Sequence, residues 1–201
     1  MSKDTYHHKD LKEALIQNGL FLLNEVGIKD FSLRKVAAMC GVSHAAPYKH
    51  FKDKDELIEA INNQVWNSFT LKLEESVSSN VTGSKIQVVE IGKAYVQFMV
   101  ENPEYLKFMF LSNNDKAIKI ENNEFIGHEE TSFEVFKNVA QKYLEENGFD
   151  KEQQIGAILA MWSMVHGIAL LICNNSIKYE GDYLELVEKM LGTSLIKKNK
   201  S

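Results

Sequence analysis

Several things are scarce in this chain of 201 residues, and each scarcity removes a class of protein. It has two cysteines, Cys40 and Cys173, one in each half. A disulfide scaffold needs more, and a structural zinc site needs clustered ligands, so both are excluded and no metal is expected. Both cysteines read as small buried hydrophobes. Prolines number two and glycines eleven, and β-branched runs with strict alternation are missing. Helical spacing dominates instead, which predicts an all-α fold. The longest unbroken apolar run, Ile168 to Cys173, is far too short to cross a membrane. The opening MSKDTYHHKD is polar and carries no secretory pattern, so a cytoplasmic protein is expected, with no membrane partner. No nucleophile elbow, Gly-rich phosphate loop or paired carboxylates on an apolar helix face appear, so neither an enzyme nor a cofactor is expected. His128-Glu129-Glu130 lacks the second histidine of a metalloprotease helix and reads as a surface charge cluster.

At 44% hydrophobic residues the chain can bury a core in one or two domains. Its net charge is −5, yet from Ser32 to Lys54 five Lys or Arg face a single acid, Asp53. His44 and His50 add donors there. A DNA surface needs such cations to displace counterions from phosphates. The acidic excess lies beyond residue 60, which suits a DNA reader joined to a part that avoids DNA.

The same window carries helix punctuation. Ser32 is a good N-cap ahead of Leu33, Val36 and Ala37, Gly41 a C-terminal stop, and Ser43 and Asp53 are caps for the next two helices. Two short helices crossing at a glycine turn make a helix-turn-helix, whose second helix can enter a major groove. A first helix from about Lys9 to Val26 precedes them. Its Gly19 suits close packing against a neighbour, and Gly27 ends it. Leu57, Ile61, Val65, Phe69 and Leu73 then repeat every fourth residue along a helix from Asp53 to about Ser78. The polar stretch Ser76 to Ser84 reads as a loop. Further helices are expected from about Lys85 to Asn102, from Glu104 to Leu111 behind Pro103, around Phe133 to Tyr143 up to Asn147-Gly148, from Ile155 to Cys173, and from Tyr183 to Leu191. Asn113 to Glu124 reads as a loop or broken helix, and the tail IKKNKS as frayed.

The residues Ser32-Leu33-Arg34-Lys35-Val36-Ala37, Gly41-Val42-Ser43, Tyr48-Lys49-His50-Phe51 and Lys54 resemble the N-terminal DNA-binding domain of TetR-like (tetracycline-repressor-like) transcriptional regulators. The likeness spans about residues 7 to 65. Ala45 departs from it where glycine is frequent, and Pro47 where leucine is common. Trp162, His166 and Gly167 in AMWSMVHGIALL resemble a Trp-His-Gly C-terminal domain of one branch of that family. The resemblance implies an N-terminal helix-turn-helix three-helix domain, residues 1–52, followed by a helical ligand-binding and dimerisation domain, residues 53–201. It implies a homodimer bound to a palindromic double-stranded DNA operator, most often as a repressor, and released by a small-molecule effector. By resemblance Tyr48, His50 and Lys54 touch phosphates, and Ser32, Arg34 and Ser43 approach the backbone. His44, Ala45 and Ala46 then face base edges, and Lys49 goes to phosphate or guanine.

In the body, Phe98, Tyr105, Phe108, Phe110, Phe136 and Trp162 suggest an apolar or aromatic ligand site, with His166 as a polar anchor. Each ring taken singly can equally be core. Two other classes are weighed against the regulator: an all-helical small-molecule carrier or enzyme that ignores DNA, and a helix-turn-helix module that binds protein. Salt-dependent, sequence-selective DNA binding separates them from it.

Overall fold

Caps and apolar spacing divide the chain into helices much as the sequence dictates. A computed structural model describes residues 3–78, 83–111, 118–126 and 131–194; of residues 3–10, 78, 110, 111 and 194 it describes the backbone only. The surface cluster at His128-Glu129-Glu130 and the tail IKKNKS lie outside the described residues.

Helix α1 (Lys3–Asp30) is interrupted at Gly27, whose φ of 70° lies in the left-handed region, so its long first part stops where glycine permits it. Helix α2 (Leu33–Met39) starts at Ser32 and ends in a Schellman motif. Helix α3 (Lys54–Ser78) buries Leu57, Ile61, Val65, Phe69 and Leu73. Helix α4 (Ser84–Glu101) is followed at once by a short α5 (Pro103–Leu106), which continues as a π-helical turn through Leu111. Then come α6 (Ser132–Glu146), α7 (Lys151–Cys173) and α8 (Tyr183–Ser194). α6 stops at Gly148, φ 76°, and α7 opens with a reciprocal capping box between Asp150 and Gln153.

Two expectations need correction. The stretch Asn113 to Glu124, expected as a loop or broken helix, contains a strand, and a second follows directly. Strands β1 (Lys119–Glu121) and β2 (Glu124–Ile126) pair antiparallel, with Ile120 opposite Phe125. Asn122 and Asn123 both have positive φ, 51° and 59°, the geometry of a tight hairpin turn that asparagine tolerates. The second helix of the helix-turn-helix is the other correction. It is not an α-helix capped by Ser43, but a turn leading into a single 3₁₀ turn at Pro47–Lys49.

The chain forms two compact units. The first comprises Met1–Asn67 with Glu104–Asn114, the second Ser68–Pro103 with Asp115–Ser201. In the first, Gly19 lets α1 approach α3: an added Cβ would sit 2.9 Å from Ile61 Cδ1. Asn24 Nδ2 donates to the Glu104 carbonyl (2.9 Å) and to its carboxylate (2.6 Å), and Lys107 pairs with Glu25 at 3.1 Å, tying α5 and the π turn to α1. In the second, α4 is central and packs against α6, α7 and α8. Gly92 permits the contact with α8, since a Cβ there would meet Leu191 Cδ1 at 2.3 Å.

By length and composition α7 matches a membrane span, with a mean hydropathy of 2.1, although no unbroken apolar run is long enough. Its Ile158, Met161, Val165, Ile168 and Ala169 are core residues of the second unit.

Candidate nucleic-acid interface and an aromatic cluster

The head presents its polar side chains from a buried frame. Ser32 Oγ accepts from the Lys35 amide at 3.3 Å, while Lys35 Nζ donates to the Asp30 carbonyl at 2.8 Å. At the far end of α2, the Gly41 amide donates to Ala38 and the Val42 amide to Ala37, with Gly41 at φ 66°. Leu33, Val36 and Ala37 are buried, which leaves Arg34 pointing outward.

The segment after Gly41 is shaped by Pro47. Proline has no amide hydrogen, so the bond from residue 47 back to Ser43 that an α-helix requires does not exist. Ser43's carbonyl instead accepts from Ala46 (2.9 Å), Ala46's from Lys49 (3.2 Å), and Pro47's from His50 and Phe51 (both 2.9 Å). The cap position falls to Ala46, which has no side-chain acceptor. Pro47 is itself buried, filling the place where leucine is common in the family. Phe51 is buried beside it in sequence, with Lys12 Nζ 5.7 Å from its ring centre and the His50 ring tilted against it. Asp53 then caps α3, accepting from the amides of Asp55 (3.1 Å) and Glu56 (3.0 Å), and the Glu56 carboxylate accepts from the Lys52 amide.

The predicted DNA-facing residues sort clearly. Arg34, Ser43, His44, Ala45, Tyr48 and Lys49 are exposed; Ser32, Ala46, His50 and Lys54 are half-buried. Tyr48 is 61% exposed, although an aromatic ring usually seeks cover. Ser32 spends its hydroxyl on the cap.

In the second unit a run of rings meets around Trp162. Tyr95, Phe133 and Phe136 each stand edge-on to it, with centroids 5.0–5.1 Å apart. Phe69 extends the cluster, 5.1 Å from both Tyr95 and Phe98, and Phe125 of the hairpin meets Phe133. Such pairs gain from edge-to-face geometry beyond the area they bury. The Tyr95 hydroxyl lies 2.8 Å from His166 Nδ1. Burial drives the Tyr95 phenol well above its ordinary range and lowers the His166 pKa, so both groups are neutral near pH 7.

Of the predicted ligand residues, the structure gathers Phe98, Phe136, Trp162 and His166 into this cluster. Tyr105 and Phe108 are not among them: they belong to the first unit, where α5 packs on α1. The Phe110 side chain lies outside the described residues. Sequence reasoning missed Tyr95, which is fully enclosed, along with Phe69 and Phe133. The spacing of Tyr95 and Phe98 on one face of α4 was the available signal.

Residues 88–193 match the family described as "Tetracyclin repressor-like, C-terminal domain", over half of the chain. The chain belongs to the TetR family of bacterial regulators. Residues 15–61 match the family "Bacterial regulatory proteins, tetR family", which covers α1 through the start of α3. A curated relative, the uncharacterized HTH-type transcriptional regulator YobS of Bacillus subtilis, is 25% identical over 187 residues, covering 92% of this chain and 90% of YobS. Among solved structures, a TetR-family regulator from Haemophilus influenzae superposes with a TM-score of 0.66 at 23% identity, covering 93% of this chain and 95% of that one. One from Marinobacter aquaeolei reaches 0.70 at 15% identity, covering 96% and 98%. The protein is therefore a TetR-family DNA-binding transcriptional regulator, built as an N-terminal helix-turn-helix followed by a helical domain.

Proposed function

We propose that this regulator is a repressor that binds a palindromic operator as a homodimer and is released by a small apolar or aromatic effector. The observation that carries the DNA half is the exposed strip Arg34, His44, Tyr48 and Lys49, held out by buried Leu33, Pro47 and Phe51 on an otherwise acidic chain. Tyr48, His50 and Lys54 take phosphates, with Ser32, Arg34 and Ser43 near the backbone. His44, Ala45 and Ala46 meet base edges, where an alanine methyl can touch thymine. Lys49 serves either phosphate or guanine.

The division of labour runs at residues 1–52 for DNA and 53–201 for effector and dimer. Helices α7 and α8 would form the dimer contact. Gly156, Ala160, Ser163 and Leu171 of α7 are exposed, and a Cβ added at Gly156 or Gly167 would meet nothing within 4 Å. Two heads about 34–36 Å apart, or a multiple of that, would meet successive major grooves. An effector that prefers the DNA-incompetent arrangement weakens operator binding by its differential affinity. A cytoplasmic location goes with this reading.

The test is a gel-shift titration on genomic fragments at two salt concentrations. Affinity for a selected fragment should fall by orders of magnitude between roughly 50 and 200 mM salt. A flat salt response without sequence preference would refute the DNA role, and sedimentation showing only a 22.9 kDa species would refute the dimer.

A further inference from the structure

We propose that the ring cluster around Trp162 takes an uncharged aromatic ligand bearing a hydrogen-bond acceptor, and that Tyr95 sets this specificity by holding His166 in one tautomer. The inference rests on the effector reading above and adds the charge class of the effector.

The argument starts from the hydrogen bond at 2.8 Å between the Tyr95 hydroxyl and His166 Nδ1. Tyr95 is wholly enclosed, and burial keeps its phenol protonated. A neutral imidazole has one donor and one acceptor nitrogen. Two arrangements can satisfy the bond: Tyr95 donates to Nδ1, or Nδ1–H donates to the phenol oxygen. In the second, the phenol hydrogen would need another acceptor. Tyr95 is flanked by the rings of Phe69 and Trp162, each 5.1 Å away, and ring edges accept no hydrogen bond. The first arrangement therefore holds, and the imidazole carries its proton on Nε2. Trp162 and His166 are half-buried, so the cluster reaches the surface on their side. There it offers aromatic faces and an N–H donor, a match for a carbonyl or similar acceptor on a flat apolar ligand.

An anion finds no such match. Lysines on the helices that build the cluster are already engaged: Lys93 by Glu90 and Glu188, Lys137 by Glu134, and Lys151 by Glu124. The remaining lysines of those helices, Lys85 and Lys142, are exposed. A carboxylate among these rings would lose its hydration without gaining a counter-charge.

Isothermal titration calorimetry on the full chain at neutral pH, with β-naphthamide and β-naphthoate as probes, tests this. The amide should bind about tenfold or more tighter than the carboxylate. Tyr95→Phe, which removes one oxygen and keeps the ring, should weaken the amide roughly five- to thirtyfold and leave the carboxylate near its starting value. Nitrogen NMR of the imidazoles in the unliganded protein should show His166 protonated on Nε2 in the wild type and as a tautomer mixture in Tyr95→Phe. Equal or tighter binding of β-naphthoate would overturn the charge class while leaving the effector site standing. A wild-type His166 protonated on Nδ1 would overturn the role of Tyr95. If neither probe binds, the effector site itself fails and this inference with it.

Discussion

The head and the body place their candidate functional groups at opposite depths. In the head, the groups that would meet DNA stand outside a frame of other residues: Tyr48 and Lys49 are exposed, while the adjoining Pro47 is buried. In the body, Phe136 and Tyr95 are fully enclosed and are at once candidate ligand contacts and core. Function and stability are separable where different side chains serve them. Where the same ring serves both, a substitution moves the two together.

The largest effect is expected in the body. Phe136→Ala removes an enclosed ring that meets Trp162 edge-on, and should cost about 3–5 kcal/mol in denaturant unfolding. Loss of effector response in that variant would then follow from lost packing. A cost below about 1 kcal/mol would mean that the ring is not core, and would dissolve the contrast. At the junction of frame and surface, Asp53→Ala deletes the cap of α3 and should cost roughly 0.5–2 kcal/mol. It should also weaken DNA binding by loosening Lys54. The smallest stability effect belongs to the head surface. Lys49→Ala should change unfolding by no more than about 0.5 kcal/mol and reduce the salt dependence of DNA binding by about one counterion per protomer. Were Lys49→Ala to destabilise the protein as much as Asp53→Ala, the reading strip would be part of its own frame.

How much of this was legible depends on the range of the interaction. Ser32, Gly41, Asp53 and Gly148 act within a few residues of themselves, and cap rules locate their effects directly. Gly19 was legible as a close-packing position, with Ile61 as its partner. The effect of Pro47 was half-legible: it was expected to shift a helix start, whereas the missing amide leaves a 3₁₀ turn in place of an α-helix. The hairpin escaped because three-residue strands are too short to show alternation, although Asn122-Asn123 carried its turn signal. The ring cluster was legible in composition and not in membership. Tyr95 and His166 are 71 residues apart, and periodicity says nothing about which helix faces meet. Tyr105 and Phe108 went to the other unit because the chain returns there at Glu104–Asn114, with no composition shift to mark it.

The 3₁₀ turn at Pro47–Lys49 also sets a clock. Its amides are held by single i→i+3 bonds beside exposed side chains, with no amide at all at position 47, whereas α3 begins four residues later with an apolar stripe buried along its length. Amides held in this way open locally and exchange with solvent long before those of a packed helix. Two neighbouring stretches of backbone therefore live on different timescales, and the one that would touch DNA is the faster. Part of its order is then supplied by the duplex, so the entropy of fixing that turn is charged to the binding step.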